Sequence, residues 1–313
     1  MSVCSEIKSL FEEAISEFNK IVVGKEEVAK LLFISLLSDG HVILEGHLGV
    51  AKTLISKTFA KIIGGSFRRI QCTPDLLPSD ILGTFIYDQK KGDYVLKKGP
   101  IFANVVLIDE VDRANPRTQS AFLEAMQEGQ VSIEGVTLPL PQPFMVIATR
   151  VFIEEEGVFP LPKVQVDRFM FRIFVTHPLP KDEFEIISRI DSIEKFDIRS
   201  ILTPEIVMKF KENVRKITVS PEVKWYIINL INYIRRNEKI TYPPSPRATI
   251  YLYKGARAKA FIEGRDYVIP DDVKEIAFYA LNHRILLKPE AELEGVTIAS
   301  LIQEALERVP VPR

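Results

Sequence analysis

Residues Gly46-His47-Leu48-Gly49-Val50-Ala51-Lys52-Thr53 combine the residue types that a triphosphate needs. Glycines let backbone amides close round phosphate oxygens. Lys52 can reach the β and γ phosphates, and the Thr53 hydroxyl can bind Mg²⁺. Leu54 continues into a helix whose first amides and dipole favour negative charge. The usual pattern has glycine directly before the lysine. Here Ala51 stands there, and alanine is expected not to visit positive φ as glycine does. A second candidate is Asp109-Glu110. On this reading Asp109 holds the Mg²⁺ through water, and Glu110 polarises the water that attacks the γ phosphate. The alternative is a pair of carboxylates on an exposed loop.

The flanking residues supply the elements that would position these groups. Val42-Ile43-Leu44 is an apolar strand leading into the loop. Leu54, Ile55, Thr58, Phe59, Ile62 and Ile63 lead out of it at helical spacing. Val105-Val106-Leu107-Ile108 is apolar throughout, as a central parallel strand covered on both faces must be. Asp109-Glu110 therefore falls at a strand's carboxyl end, where open parallel sheets bind ligands. Phe67 to Gln71, Phe144 to Ile147 and Phe169 to Phe174 read as further strands. Two hairpins are expected: Phe85 and Tyr87 against Tyr94 and Leu96, and Val131–Ile133 turning at Glu134-Gly135 into Val136–Leu138. The alternation of strands and helices stops near His177-Pro178. Beyond it the stripes are helical, as in Val223, Tyr226, Ile227, Leu230, Ile231 and Ile234. The expected division is an α/β domain over residues 1–180 and a helical domain over 181–313.

Bulk properties narrow the function. A length of 313 residues suits two domains, and a formal net charge of −1 argues against general adhesion to nucleic acid or acidic lipid. Cys4 and Cys72 lie far apart, and neither they nor the histidines have metal-ligand spacing, so zinc is not expected. No segment has the ~20 apolar residues of a membrane span, and the amphipathic N-terminus is not a signal peptide. A cytoplasmic location follows as an expectation.

The Gly46–Thr53 loop, with alanine before the lysine, resembles that of the MoxR family of AAA+ ATPases. The same resemblance extends through Thr73–Ile81, Gly99–Asn104, Asp109-Glu110, Thr118–Glu128, Phe159–Pro162 and Asp167-Arg168-Phe169. It continues into Ser245-Pro246-Arg247-Ala248 and Arg265–Val273. It implies a three-layer αβα sandwich with a parallel central sheet, two hairpin inserts and an all-α lid. It also implies ATP and Mg²⁺ as ligands and a ring, taken as a hexamer, that remodels protein complexes in a chaperone-like way. Proteins with von Willebrand factor A domains are implied as partners. Arg168 resembles an arginine finger that reaches a neighbour's γ phosphate, the alternative being an ordinary Asp167-Arg168 salt bridge. Arg247 resembles the second sensor, with Ser245 as N-cap and Pro246 at the first helical position; the alternative is a surface arginine. Val22 and Val23 resemble the segment beside the adenine, or form a plain turn between helices.

Departures matter too. After the strand this chain has Ala148-Thr149-Arg150-Val151-Phe152, so Val151 replaces the family's first-sensor asparagine. Thr149 or Arg150 could substitute, or turnover is slow. Leu48 replaces a proline, and Asp112 replaces an asparagine and adds negative charge near the metal. A slow or non-hydrolysing ATP-switched scaffold is therefore the alternative to a working ATPase. A DNA motor is disfavoured because the Val131–Leu138 hairpin carries no basic residue. A GTPase is disfavoured because no Asn-Lys-x-Asp segment is present.

Overall fold

The computed structural model describes residues 3–152, 158–195 and 197–312. Helices α1 (Val3–Asn19) and α2 (Glu26–Leu37) precede β1 (Val42–Glu45), the glycine loop and α3 (Lys52–Ile62). Next come β2 (Phe67–Gln71), α4 (Pro78–Leu82), and the hairpin of β3 (Gly83–Asp88) and β4 (Asp93–Lys98). β5 (Val105–Asp109), a 3-10 turn and α5 (Pro116–Glu128) follow, then a second hairpin, β6 (Gln130–Ile133) and β7 (Val136–Pro139). β8 (Met145–Arg150), α6 (Lys163–Val166) and β9 (Phe171–Phe174) complete the sheet region. The remainder is α7 (Pro180–Lys195), α8 (Pro204–Lys216), α9 (Pro221–Arg235), α10 (Pro246–Ile262), α11 (Pro270–Leu281), α12 (Pro289–Leu293) and α13 (Ile298–Arg308). A small ribbon interrupts those helices, formed by β10 (Ile240–Tyr242) and β11 (Leu286–Leu287).

The central sheet has five parallel strands in the order β2-β5-β8-β1-β9. Side chains alternate across it. Val42, Leu44, Val105, Leu107, Ile147, Phe171 and Ile173 enter a core with α1, α2, α3 and the C-terminal helices. Ile43, Val106, Ile108, Val146 and Ala148 face the opposite way, against α5 and the hairpins. Period-two burial on both faces is what a sheet covered on both sides requires. One core therefore runs unbroken from the sheet into the helical part.

The helix starts share a device. Asn115-Pro116, Thr203-Pro204, Ser220-Pro221 and Ser245-Pro246 place a side-chain acceptor at the N-cap and proline at the first helical position. Each cap oxygen accepts a first-turn amide, and proline has no amide there to leave unpaired. The first hairpin pairs Phe85 with Leu96 and Tyr87 with Tyr94. The second turns through Glu134 and Gly135, both at positive φ.

This order puts the carboxyl ends of β5, β8 and β1 side by side. Thr149 on β8 stands opposite Leu44 on β1, and Gln71 on β2 stands opposite Asp109 on β5. Gln71, Asp109 and Thr149, polar residues from three strands, thus meet at the carboxyl end of the sheet.

Candidate functional site

The glycine loop spans the gap between the end of β1 and the start of α3. Gly46 runs so close to the chain after β9 that an added Cβ would lie 2.2 Å from the Val175 carbonyl oxygen. Only glycine fits there. Ala51, at φ +65°, is the N-cap of α3 in the left-handed conformation, and no side chain caps that helix end. Alanine therefore adopts the geometry it was expected to avoid, at a cost of about 1–2 kcal/mol. First-turn amides without side-chain partners, a helix dipole and a loop held open by this backbone together suit an anion.

Lys52 donates its Nζ to the carbonyls of Gly46 (2.7 Å) and His47 (2.8 Å). Burial lowers its pKa, and the charges of Asp109, Glu110, Asp112 and Glu45 act against that shift. Thr53 points its hydroxyl at Asp109 Oδ2, 3.4 Å away. Val50 is buried, Leu48 is 60% exposed, and Leu54 opens α3 beside Thr53. The His47 ring stacks on His177 at 5.2 Å and meets the edge of Phe152 at 5.1 Å. Val22 and Val23 are buried in the turn between α1 and α2. That turn is tied to the segment after β9: Lys25 Nζ donates to the Thr176 carbonyl at 2.8 Å. The same segment passes Gly46, so the valines and the loop share one neighbourhood.

Asp109 is fixed on both oxygens. Thr149, fully buried, donates to Oδ1 at 2.5 Å, and Arg69 donates its Nε to Oδ2 at 2.9 Å. The same Thr149 hydroxyl accepts the Glu110 amide at 2.8 Å. Glu110 is left-handed (φ 56°, ψ 54°), a conformation that bulky side chains adopt only when their surroundings enforce it. Its Oε2 accepts from Gln71 at 3.0 Å and lies 3.1 Å from Arg113 Nε. The two residues weighed as replacements for the asparagine missing at Val151 thus go different ways. Thr149 reaches Asp109 and Glu110. Arg150 faces Asp112 (3.6 Å) and Glu45 (3.9 Å), so a guanidinium meets the extra carboxylate of Asp112.

Arg168 and Arg247 form a second cluster. Asp167 accepts from Ser245 Oγ (2.8 Å), Arg247 Nη1 (3.4 Å) and Arg284 Nε (2.9 Å). Ser245 is indeed the N-cap, its oxygen accepting the Arg247 amide at 3.2 Å. Arg168 turns away from Asp167 toward the Leu123 carbonyl, at 3.4 Å, and its Nε is buried with no partner. Burial and the charge of Arg247 lower its pKa. The charged neighbours of Lys52 are carboxylates, whereas that of Arg168 is another arginine.

Arg69 and Gln71 escaped the reading of the sequence. Both lie on β2, an edge strand on which only Ile70 is buried. The available signal was positional: polar residues at the carboxyl end of a strand adjoining Asp109-Glu110.

Residues 41–171 match the model of the ATPase family associated with various cellular activities, and residues 233–305 match the AAA lid domain. The chain is 40% identical to the chaperone MoxR1 of Mycobacterium tuberculosis, covering 99% of this chain and 84% of that protein. It is 38% identical to the uncharacterized protein YeaC of Bacillus subtilis, over 100% of this chain and 98% of the relative. A crystal structure of a protein from Cytophaga hutchinsonii superposes with a TM-score of 0.91 at 41% identity, covering 99% of this chain and 97% of that one.

Proposed function

This chain belongs to the MoxR family of AAA+ ATPases, and from that membership we propose that it binds ATP and hydrolyses the β–γ phosphoanhydride bond within a ring of like subunits. Residues Gly46 to Leu54 receive the phosphates through the loop and first-turn amides. Lys52 exchanges the Gly46 and His47 carbonyls for β and γ phosphate oxygens. Val22 and Val23 flank the adenine. Thr53 and Asp109 hold Mg²⁺, which when bound screens the phosphate charge. Arg69 already donates to the Asp109 oxygen nearest Thr53, so it shares or yields that oxygen.

Glu110 orients the attacking water and accepts its proton. Thr149 fixes the direction of Asp109 and the backbone of Glu110, which offsets the loss of the sensor asparagine at Val151. Arg168 and Arg247 stabilise charge on the γ phosphate of a neighbouring copy. The ring, a hexamer by family resemblance, acts as a chaperone-like remodelling factor. Partners with von Willebrand factor A domains and a cytoplasmic setting belong to the same proposal. No helix among the described residues is long and apolar enough to cross a membrane.

The observation that carries this reading is the convergence of Thr53, Asp109, Thr149 and the strained Glu110 within one set of hydrogen bonds. Val151 keeps a second reading in play, an ATP-switched scaffold with vestigial turnover. Steady-state phosphate release separates the two. On the ATPase reading, Glu110→Gln loses ~10²–10⁴-fold in turnover while calorimetry still detects ATP binding. Equal background rates in wild type and variant favour the scaffold.

A further inference from the structure

A small cavity opens beside the start of β1, at the opposite end of that strand from the phosphate loop. Its walls come from the turn after α2, from α8 and from α10. Ser38, Asp39, Arg215, Lys254 and Arg257 enclose about 80 Å³ there. Lys211 is held on Asp39, its side chain 3% exposed and its Nζ 2.8 Å from Asp39 Oδ1. Arg215 Nη2 reaches the other oxygen at 3.3 Å. Lys254 and Arg257 make no ion pair among the described residues. Four cations from two helices thus gather round one carboxylate.

Cations at the end of α2 would ordinarily answer its dipole. The last carbonyls of that helix are already used, however: Ile34, Ser35 and Leu36 accept from the amides of Ser38, Gly40 and Asp39. Arg257 donates its Nε to the Val214 carbonyl at 3.0 Å, while its Nη2 is buried with no partner. A buried guanidinium nitrogen without an acceptor is costly, and native structures rarely leave one so. Asp39 is left-handed (φ 55°), which fixes where its carboxylate stands. Burial pushes the pKa of Asp39 up, but Lys211, Lys254 and Arg215 outweigh that and hold it below its ordinary value.

The chemistry of the walls says which anion fits. The volume is far below the ~300–1,000 Å³ of a site for a larger organic ligand, so the occupant is a single small oxyanion. Arginine nitrogens and a lysine ammonium are the donors that phosphate-type oxygens take. An ionised carboxylate in the same wall repels an anion that carries no proton, yet accepts a hydrogen bond from one that does. Near neutral pH inorganic phosphate keeps at least one proton, whereas sulfate has none.

We propose that this cavity binds inorganic phosphate, with Lys254 and Arg257 Nη2 donating to its oxygens and Asp39 accepting its hydroxyl, so that phosphate is selected over sulfate. Bound there, the ion ties α8 and α10 to the start of the strand that carries the phosphate loop at its far end. The site is separate from the nucleotide cleft and depends on neither the ATPase reading nor the ring.

The test is calorimetry at neutral pH with sodium phosphate and with sodium sulfate. It uses the full chain carrying Lys52→Ala, which disables the phosphate loop as a competing anion seat. Phosphate should bind at one per chain and at least ~10-fold more tightly than sulfate. Lys254→Gln with Arg257→Gln should weaken phosphate at least ~10-fold, through the loss of charged hydrogen bonds. Asp39→Asn removes the repelling charge and should bring sulfate within about threefold of phosphate. Phosphoserine, whose phosphate is mostly unprotonated at neutral pH, should behave like sulfate. The comparison of anions on the parent needs no substitution in the cavity, so it stands even where a variant fails to fold. A parent that takes up no phosphate at ~10 mM overturns the site. Unchanged phosphate affinity in the Lys254 and Arg257 double variant places the ion elsewhere and overturns it as well. Sulfate or phosphoserine binding as tightly as phosphate would remove the selecting role of Asp39 and sink the proposal.

Discussion

The phosphate-loop cleft and the Asp167 cluster are both networks of charged residues, yet they are balanced in opposite ways. In the cleft, Lys52 is surrounded by Asp109, Glu110, Asp112 and Glu45, and Arg69 is held on Asp109. Its amides and carboxylates suit a cation and an anion bound together. In the other cluster Asp167 answers both Arg247 and Arg284, while Arg168 has a carbonyl and an unpaired buried nitrogen. That cluster has more positive charge than its own carboxylate can neutralise. The difference is what the proposed sharing of one site between two copies requires. An excess of arginine held beside exposed apolar residues is suited to an anion supplied by another molecule.

The sharpest way to break this division is to remove Arg168. Arg168→Ala should lower turnover by ~10³-fold, whereas ATP affinity measured on dilute, unassembled protein should change by less than about threefold. A large loss of affinity would put Arg168 in its own copy's cleft.

Acid should strike the arginine side. His41 accepts the Val146 amide on Nδ1 (2.9 Å) and engages the Met126 carbonyl through Nε2 (2.9 Å), so its ring is neutral. Its own carbonyl accepts the Met170 amide at 2.7 Å, just after Arg168. Burial lowers its pKa to about 4. The unfolded chain titrates near 6.5 and so binds a proton that the native state excludes. This contribution is complete above pH ~6.5 and is lost as pH falls toward ~4, by about 3 kcal/mol. Urea unfolding at pH 7 and pH 4.5 reads it. The loss should shrink in His41→Asn, and an equal acid loss in both proteins would contradict the assignment. His283, whose pKa burial and Arg284 hold well below the usual range, adds to the loss in the same direction.

In the cleft, Thr149→Val keeps shape and removes the hydroxyl that joins Asp109 to Glu110. It should cost about 2 kcal/mol of stability and slow turnover more than it weakens ATP binding. Equal kinetics in variant and wild type would return the role to Arg150. The smallest effect belongs to Ala51→Gly. Relief of left-handed strain slightly exceeds the added chain entropy, so stability should rise by less than about 1 kcal/mol. A fall in melting temperature would mean that Ala51 is not strained.

The parts of this division differ in how far they could be read from the sequence. The apolar run of β5 and the Lys-Thr loop announce the cleft because local pattern alone forms a strand, a turn and a helix start. The first hairpin was legible down to its Tyr87–Tyr94 pair, since a Lys91-Gly92 turn leaves few registers. Thr149 was named only as one of two substitutes, because its partners Asp109 and Glu110 are forty residues away. Arg69 and Gln71 stayed hidden for the same reason. The ribbon of β10 and β11 joins Ile240 to Leu287 and has no local signal at all. Adjacency in sequence does not set the pairing: Arg168 sits next to Asp167 in the chain, yet Asp167 pairs with Arg247 and Arg284, which only the fold brings near.

Subunit mixing tests the shared site most directly. Glu110→Gln has an inert cleft and intact arginines; Arg168→Ala has the reverse. Each alone should be nearly inactive. After exchange at equal concentrations, about one quarter of head-to-tail junctions would pair an intact cleft with an intact arginine, and phosphate release should recover to roughly that share of wild type. A mixture that has demonstrably exchanged subunits and remains as inactive as its parents would contradict the account.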